Sequence, residues 1–406
     1  QPPQSPSATA PPRWLRHSGR AAIRFDVLIV GTGHAGATAA IQLRQLGFPG
    51  SIALLGEELD LPYERPPLSK DYLAGSKSAE DILFRPASFW AERNITLVSG
   101  ERIESVHPEV REVRFASGHA YTYGDLIWTA GGRARALPGA HVIRSLADVD
   151  ALRSQLSHAH RILIVGAGYI GLEAAAVLTK LGKQVTLTEA ADRVLSRCAA
   201  EPLSRFLEAE HRARGVDLRL STPDVEAAGF DLVIAGIGIE PNADPLLTAG
   251  AEGGDGVLVD DHCRTTLPHV WAAGDCALHR NPFGPDRPIR IESVQNASDM
   301  ATTIARALTG QPQPYQAMPW FWSNQYDLRL QTVGLSHDHD EVLVRGDPGT
   351  RKFAVIYRRN GRVIALDCVN NVRDYVQGRA LIESGAELAV ADLTNPDLPL
   401  KSLLES

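Results

Sequence analysis

A glycine-rich turn between an apolar strand and a helix occurs twice in this chain. The first copy, from Phe25, reads FDVLIV, GTGHAG, ATAAIQLRQLG, and the second, from Arg161, reads RILIV, GAGYIG, LEAAAVLTKLG. The two GxGxxG turns lie 135 residues apart. Glycines at these positions permit a tight turn, close approach of a pyrophosphate and close packing of the helix on the strand. The duplication predicts two Rossmann-like βαβ units, each with a parallel sheet covered by helices.

An acidic residue follows each turn at a distance suited to a ribose hydroxyl, which marks both units as dinucleotide sites. The pyrophosphate of such a ligand would lie on the unpaired N–H groups at the positive end of the helix. The first set of candidate residues is Gly31, Gly33, Ala35, Gly36 and Glu57. The second set is Gly166, Gly168, Tyr169, Ile170, Gly171 and Glu189.

The carboxylate of Glu189 bears on the choice between NADH and NADPH. It would repel the 2′-phosphate of NADPH, so NADH is the expected cofactor. Arg193 and Arg197 follow closely in sequence, and an arginine there can receive that phosphate, which keeps NADPH as the alternative.

Composition excludes several other classes of protein. The chain has 406 residues and a net charge of −7, whereas a surface that binds nucleic-acid phosphates is usually basic. No apolar stretch reaches the ~18 residues of a membrane span. The four cysteines lack the spacing of a zinc, iron–sulfur or CxxC site, which favours a reducing, cytoplasmic location and no metal. They are Cys198, Cys263, Cys276 and Cys368.

Two further regions differ in character from the duplicated units. Residues 1–22 are rich in Pro, Ser and Ala and contain no acidic residue, which predicts a disordered extension, with a transit peptide as the alternative. After Met318, four strand-like segments and a helix near Asp374–Ser384 predict an α+β domain. They are WFWSNQ, LRLQTVGL, KFAVIYRR and GRVIALDCV. HDHDE at His337–Glu341 is expected to be a polar hairpin loop and not a metal site.

The segment TTLPHVWAAGD, Thr265–Asp275, resembles a motif of the flavoprotein reductases that share the glutathione reductase fold. In them the final aspartate, here Asp275, holds the ribityl chain of FAD. Since this motif follows the second βαβ unit, the resemblance implies that the NAD domain interrupts the FAD domain. We expect an FAD domain at 23–136 and 243–317, an NAD domain at 137–242, and a C-terminal domain at 318–406.

Four segments give a closer resemblance to the ferredoxin reductases of bacterial oxygenase systems, the group of putidaredoxin, rhodocoxin and biphenyl-dioxygenase ferredoxin reductases. They are Leu61–Gly75, Gly166–Ala175, Ile291–Ala297 and Pro319–Tyr326. The resemblance implies FAD and NADH as cofactors and a [2Fe–2S] ferredoxin as partner, which would feed a P450 or a Rieske oxygenase. It also implies a monomer or weak homodimer with neither a nucleic-acid nor a membrane partner.

The position of the cysteines separates this group from others with the same fold. Disulfide reductases carry a cysteine pair just after the first Rossmann unit, where this chain has Leu68, Ser69 and Lys70. We therefore expect electrons to leave one at a time to an external carrier. The alternatives are a rubredoxin or small-molecule reductase, acting on quinone or dehydroascorbate, and a redox sensor resembling apoptosis-inducing factor.

The resemblance also assigns roles to single residues. Lys70 would approach flavin N5 with Glu173 as its partner, and Trp322 would lie beside the flavin, with Trp320 further out. Tyr169 would cover the flavin until NADH arrives. Further contacts to FAD are implied for Arg65, Ile103, Arg133 and Val294, and contacts to NAD for Arg197 and Gly238.

Two segments depart from the family pattern. The usual ATG near the end of the first FAD segment reads Thr129-Ala130-Gly131, which displaces the hydroxyl by one position. Only nine residues separate VDLRL, Val216–Leu220, from FDLVIAGIG, Phe230–Gly238, where the family has a three-stranded meander. Either the NAD domain lacks that small β layer, or a flexible piece of the natural chain is absent from this sequence.

Overall fold

The structure, a computed structural model, describes residues 23–224 and 226–404. The predicted extension at residues 1–22 lies outside this range. Within it, no helix has both the length and the apolar character needed to cross a membrane.

The first dinucleotide unit contains a sheet with strand order β3-β2-β1-β6-β5-β4. Strands β3, β2, β1 and β6 are parallel, whereas β5 and β4 are antiparallel to their neighbours. The parallel strands expected from the βαβ pattern are confirmed, and the antiparallel β4 and β5 were not expected from the sequence. Short turns join β4, β5 and β6, and such turns reverse the chain. The elements are β1 (Ile23–Val30), α1 (His34–Gln45), β2 (Ile52–Gly56), α2 (Ala87–Glu92), β3 (Ile95–Ser99), β4 (Ile103–His107), β5 (Glu112–Phe115), β6 (Ala120–Trp128) and β7 (Gly132–Ala134).

The second unit is a four-stranded parallel sheet with order β10-β9-β8-β11. The described residues of the connection between β10 and β11 form no strand, which agrees with its shortness in the sequence. The elements are α3 (Leu146–Leu156), β8 (Arg161–Val165), α4 (Tyr169–Lys180), β9 (Gln184–Thr188), α5 (Glu201–Ala213), β10 (Asp217–Arg219), β11 (Leu232–Ala235), β12 (Ile239–Pro241) and α6 (Asp244–Thr248).

The chain then returns to the first unit. Strand β15 pairs in parallel with β6, and helix α7 packs against α1, so residues beyond the second unit complete the first. The two segments that connect the units, β7 and β12, pair with each other in antiparallel fashion. The elements are β13 (Gly253–Gly254), β14 (Gly256–Leu258), β15 (Val270–Ala272), β16 (Ala277–Leu278) and α7 (Val294–Leu308).

The C-terminal region is an antiparallel sheet of order β17-β18-β21-β20-β19, followed by two helices. The four strands and the helix expected from the sequence are confirmed, and β19 was missed. HDHDE is confirmed as a loop as far as Asp340, and Glu341 begins β19. The elements are β17 (Trp320–Gln325), β18 (Leu328–Gly334), β19 (Glu341–Asp347), β20 (Lys352–Arg359), β21 (Arg362–Val369), α8 (Val372–Ser384) and α9 (Val390–Thr394).

The hydrophobic cores do not follow the sequence-based division completely. A group of buried side chains from the first unit packs with the core of the second unit and with the C-terminal sheet: Tyr63, Leu68, Tyr72, Leu73 and Ile82. The sequence assigned these residues to the FAD domain at 23–136. This packing brings the turn at Pro66–Ser69, and Lys70 after it, against helix α4.

Candidate functional site

A cavity of about 1180 Å³ is lined by both glycine-rich turns and by strand β17. Most of the residues singled out in the sequence line it. From the first unit and the C-terminal part these are Gly31, Gly33, Ala35, Glu57, Arg65, Lys70, Ile103, Arg133, Asp275, Val294 and Trp322. From the second unit they are Gly168, Tyr169, Ile170, Glu173, Arg197 and Gly238.

Three predicted glycines do not line the cavity but permit close backbone approaches within the turns. A Cβ atom at Gly36 would lie 1.8 Å from the carbonyl oxygen of Gly31, and one at Gly171 would lie 2.0 Å from that of Gly166. Gly166 itself has φ +97°, and a Cβ there would lie 2.6 Å from the carbonyl oxygen of Gly236. Only glycine permits these approaches, so the backbone N–H groups at both helix starts stay open toward the cavity.

Glu189 also does not line the cavity. Its two carboxylate oxygens accept hydrogen bonds from the backbone N–H groups of Ala167, over 2.8 Å, and Ala191, over 3.0 Å. Arg193 donates to the carbonyl oxygen of Ala199 over 2.6 Å and to other groups of its own loop and of α5. Its guanidinium is therefore engaged by the protein, and Arg197 is the arginine of this pair that faces the cavity.

The FAD side of the cavity presents cations and open helix starts, which suit a pyrophosphate. Arg65 donates to Glu58 over 2.6 Å and also to the backbone oxygen of Arg144. Arg144 in turn lies 3.3 Å from Asp275. Burial, together with Arg65 and Arg144, lowers the pKa of His34, at the start of α1, to about 4. These residues fit FAD, and Arg144 and His34 were not found from the sequence.

Arg133 is less suited to a direct FAD contact than the sequence implied. It lines the cavity, but its guanidinium lies 2.7 Å from Glu240 and 3.5 Å from Asp244. These two carboxylates tie it across the β7–β12 pair. Ile103, at the start of β4, is buried and contributes to the cavity wall.

Lys70 and Glu173 form an ion pair inside the cavity, with 2.6 Å between Nζ and Oε2. The Glu173 side chain is only 2% exposed, and that of Lys70 is 18% exposed. Two serines that the sequence did not point to also donate to this carboxylate, Ser69 over 2.6 Å and Ser323 over 2.6 Å. Both lie next to predicted residues, but serine alone gives no signal of such a role. Three donors therefore fix this buried carboxylate in place.

Aromatic side chains of β17 and of the second glycine turn form part of the cavity wall. The ring of Trp322 lies 5.5 Å from that of Trp320 at an angle of 33°, and Trp320 is outside the cavity lining. Phe321, which was not predicted, contacts Tyr169 with 4.5 Å between ring centres. Burial raises the pKa of Tyr169 well above its usual range. Tyr169 is therefore an uncharged ring packed between the second unit and β17.

Cys198 lines the same cavity, which the sequence did not indicate. It lies in the loop after β9 and far in sequence from the position of the disulfide reductases' cysteine pair. The residue as a whole is exposed, but burial around the thiol, and secondarily Asp367, raises the pKa of the thiol to about 11. At neutral pH it is a protonated thiol and a weak nucleophile.

Two dinucleotide turns that open on one cavity, with an ion pair between them, define a reductase that binds FAD and NAD(H). The chain belongs to the pyridine nucleotide-disulphide oxidoreductase family, whose model matches residues 25–301, and residues 320–404 match the reductase C-terminal family. It is therefore an oxidoreductase that uses FAD and NAD(H).

Similar proteins agree with the resemblance seen in the sequence. The chain is 54% identical over 404 residues to the ferredoxin reductase subunit of 5,5′-dehydrodivanillate O-demethylase from Sphingobium sp., covering 93% of this chain and 98% of that one. It is 37% identical to putidaredoxin reductase of Pseudomonas putida, with 93% and 96% covered. A crystal structure of the covalent putidaredoxin reductase–putidaredoxin complex matches with a TM-score of 0.89 at 37% identity, covering 95% of this chain and 99% of that one. The expected membership in this group of reductases is confirmed.

Proposed function

We propose that this protein transfers electrons from NADH through FAD to a [2Fe–2S] ferredoxin that serves a P450 or a Rieske oxygenase. The observation that supports it most is the Lys70–Glu173 ion pair in the cavity that both glycine-rich turns line, with Leu68 and Ser69 where a disulfide reductase has cysteines. The two relatives compared above, from Sphingobium sp. and Pseudomonas putida, are ferredoxin reductases of such systems.

A bound flavin would supply the chemistry, which is to accept a hydride and to release single electrons. The protein's own residues would bind and orient. The two sets of helix starts and Arg65 would hold the phosphates, and Lys70, fixed by Glu173, would orient the nicotinamide. Trp322 would lie beside the flavin on the side of β17. Hydride transfer needs reacting atoms about 3–3.5 Å apart, so small shifts of these side chains matter.

We also propose the domain division from the sequence, with one change. The FAD domain would comprise residues 23–136 and 243–317, the NAD domain 137–242, and the C-terminal domain 318–406. The segment at 63–82 would instead be assigned to the NAD domain, since its apolar side chains are buried in the hydrophobic core of that domain.

The function is tested with purified holoenzyme, NADH, cytochrome c and a panel of [2Fe–2S] ferredoxins. We expect at least one ferredoxin to stimulate cytochrome c reduction strongly. Rapid ferricyanide reduction without stimulation by any ferredoxin would contradict the proposal and favour a small-molecule reductase. A stable flavin–NAD charge-transfer band with negligible reduction of any acceptor would favour a redox sensor.

The substitution Trp322→Ala should lower ferredoxin-linked cytochrome c reduction about tenfold, because removal of the ring opens the wall between flavin and surface. Ferricyanide, a small acceptor, should still be reduced at a rate close to that of the wild type. Trp322→Phe, which keeps a ring, serves as the control. If ferredoxin-linked reduction by Trp322→Ala equals that of the wild type, Trp322 has no part in electron transfer.

The substitution Glu189→Ala should reduce the preference for NADH over NADPH about tenfold, measured as the ratio of the two kcat/KM values. The carboxylate both repels a 2′-phosphate and fixes the turn through Ala167. Arg193→Ala is the comparison, because its guanidinium is engaged within its loop and should not set this ratio. An unchanged ratio in Glu189→Ala would contradict the assignment.

A further inference from the structure

A chain of hydrogen bonds leads to Glu173 from helix α5 through residues of strand β17. Ser323 Oγ donates to Glu173 Oε1 over 2.6 Å, and Gln325 Nε2 donates to Ser323 Oγ over 3.2 Å. Gln325 Oε1 lies 2.9 Å from His211 Nε2. The other ring nitrogen of His211 lies 3.1 Å from the hydroxyl of Tyr326.

All donors in this chain point toward Glu173. An amide oxygen can only accept, so His211 Nε2 must carry the proton shared with Gln325. Burial lowers the pKa of His211, so the ring is neutral and its Nδ1 accepts from Tyr326. Hydrogen bonds aligned in one direction polarise one another, which strengthens the last one, from Ser323 to the carboxylate.

The chain is shielded from water between Ser323 and His211, whereas Tyr326 at its far end is half-buried. The exposed fractions of Ser323, Gln325 and His211 are 0%, 2% and 0%. In such surroundings a lost partner is not replaced by solvent, so each bond constrains its neighbours. Since side chains alternate along a strand, Ser323 and Gln325 project from the face of β17 opposite to that of Trp322.

The two oxygens of Glu173 are held separately. Oε1 accepts from Ser323, whereas Oε2 accepts from Ser69 and Lys70. Because donors are fixed at both oxygens, the carboxylate cannot rotate away from Lys70 without breaking one of these bonds. The donors come from two distant parts of the chain, namely the adjacent residues Ser69 and Lys70, and Ser323 in β17.

We propose that Ser323, supported by Gln325 and His211, is a positioning residue that fixes the Glu173 carboxylate in the orientation that holds Lys70 toward the nucleotides. This inference rests on the proposed role of the Lys70–Glu173 pair in the reaction with NADH. It extends the functional site to α5 and to the face of β17 that carries Ser323 and Gln325.

The first test measures Lys70 itself, by the rate at which acetic anhydride labels its amine in the holoenzyme, read by peptide mass spectrometry. Ser323→Ala should raise the labelling rate of Lys70 severalfold, and Gln325→Leu, which breaks the chain one bond further away, should raise it less. The exposed Lys77 is an internal control with an unchanged rate. Ser204 is another fully buried serine and lies on α5, so Ser204→Ala serves as a matched control. This variant should leave the labelling rate of Lys70 as in the wild type.

The second test is stopped-flow reduction of the flavin by NADH without any ferredoxin, so a failure of the ferredoxin proposal would not affect it. Ser323→Ala should slow reduction about tenfold in the wild type and have no further effect in Lys70→Ala, since it acts through Lys70. Unchanged labelling of Lys70 in both Ser323→Ala and Gln325→Leu would overturn the inference. Equal slowing by Ser323→Ala with and without Lys70, or a Lys70→Ala variant as fast as the wild type, would also overturn it.

Discussion

The variant Lys70→Ala should reduce its flavin with NADH about a hundredfold more slowly than the wild type, because a displacement of about 1 Å at a hydride-transfer site can cost that much. Lys70 is the cation that Glu173 holds inside the cavity at 2.6 Å. The hundredfold loss corresponds to about 2.7 kcal/mol of transition-state stabilisation. Single-turnover stopped-flow absorbance at saturating NADH measures it directly.

The control for this experiment is Lys77→Ala, which removes an exposed lysine seven residues away and should leave the rate unchanged. The dissociation constant for NAD⁺ separates loss of binding from loss of orientation. If Lys70→Ala shows both an unchanged rate and an unchanged dissociation constant, Lys70 does not belong to the site.

The variant Gly36→Val should be isolated without FAD. A Cβ atom at this position would lie 1.8 Å from the carbonyl oxygen of Gly31 and 2.8 Å from the Thr129 hydroxyl oxygen. The Gly31 oxygen belongs to the backbone, so it cannot move aside as a side chain could. Helix α1 would have to move away from β1, which would disrupt the turn and the N–H groups that face the pyrophosphate. The ratio of flavin absorbance to protein absorbance should fall close to zero, even after incubation with excess FAD.

The matched control is Gly254→Val, because a Cβ atom there meets open space. This variant should bind FAD as the wild type does. A Gly36→Val protein with a full complement of FAD and the melting temperature of the wild type would show that the first glycine turn is not the FAD cradle.

Local motifs allowed a large part of the architecture to be predicted. The strand–turn–helix pattern is encoded by neighbouring residues, because positive φ at Gly31 and Gly166 and contact distances near 2 Å at Gly36 and Gly171 leave no alternative to glycine. The assignment of β15, with Asp275 after it, to the first unit came instead from the resemblance to flavoprotein reductases, and the parallel pairing of β15 with β6 agrees with it.

Other features had no local signal. The antiparallel arrangement of β4 and β5 follows from the short turns that join them to each other and to β6, and not from their apolar content. Arg144 contacts Asp275 across 131 positions, and Cys198 reaches the cavity through a loop whose course depends on Arg193. Such contacts depend on how whole segments pack, and residue type alone does not predict them.

The interruption of the first unit was implied by the resemblance to flavoprotein reductases. Two dinucleotide sites and the lack of a cysteine pair at Leu68, Ser69 and Lys70 could be deduced from the residues in order, since these properties lie in short segments and in residue identity. How Glu173 is held could not, because Ser69 and Ser323 meet it across 104 and 150 positions. Only the packing of residues 63–82 and of β17 against helix α4 brings those hydroxyl groups within hydrogen-bond distance of one carboxylate.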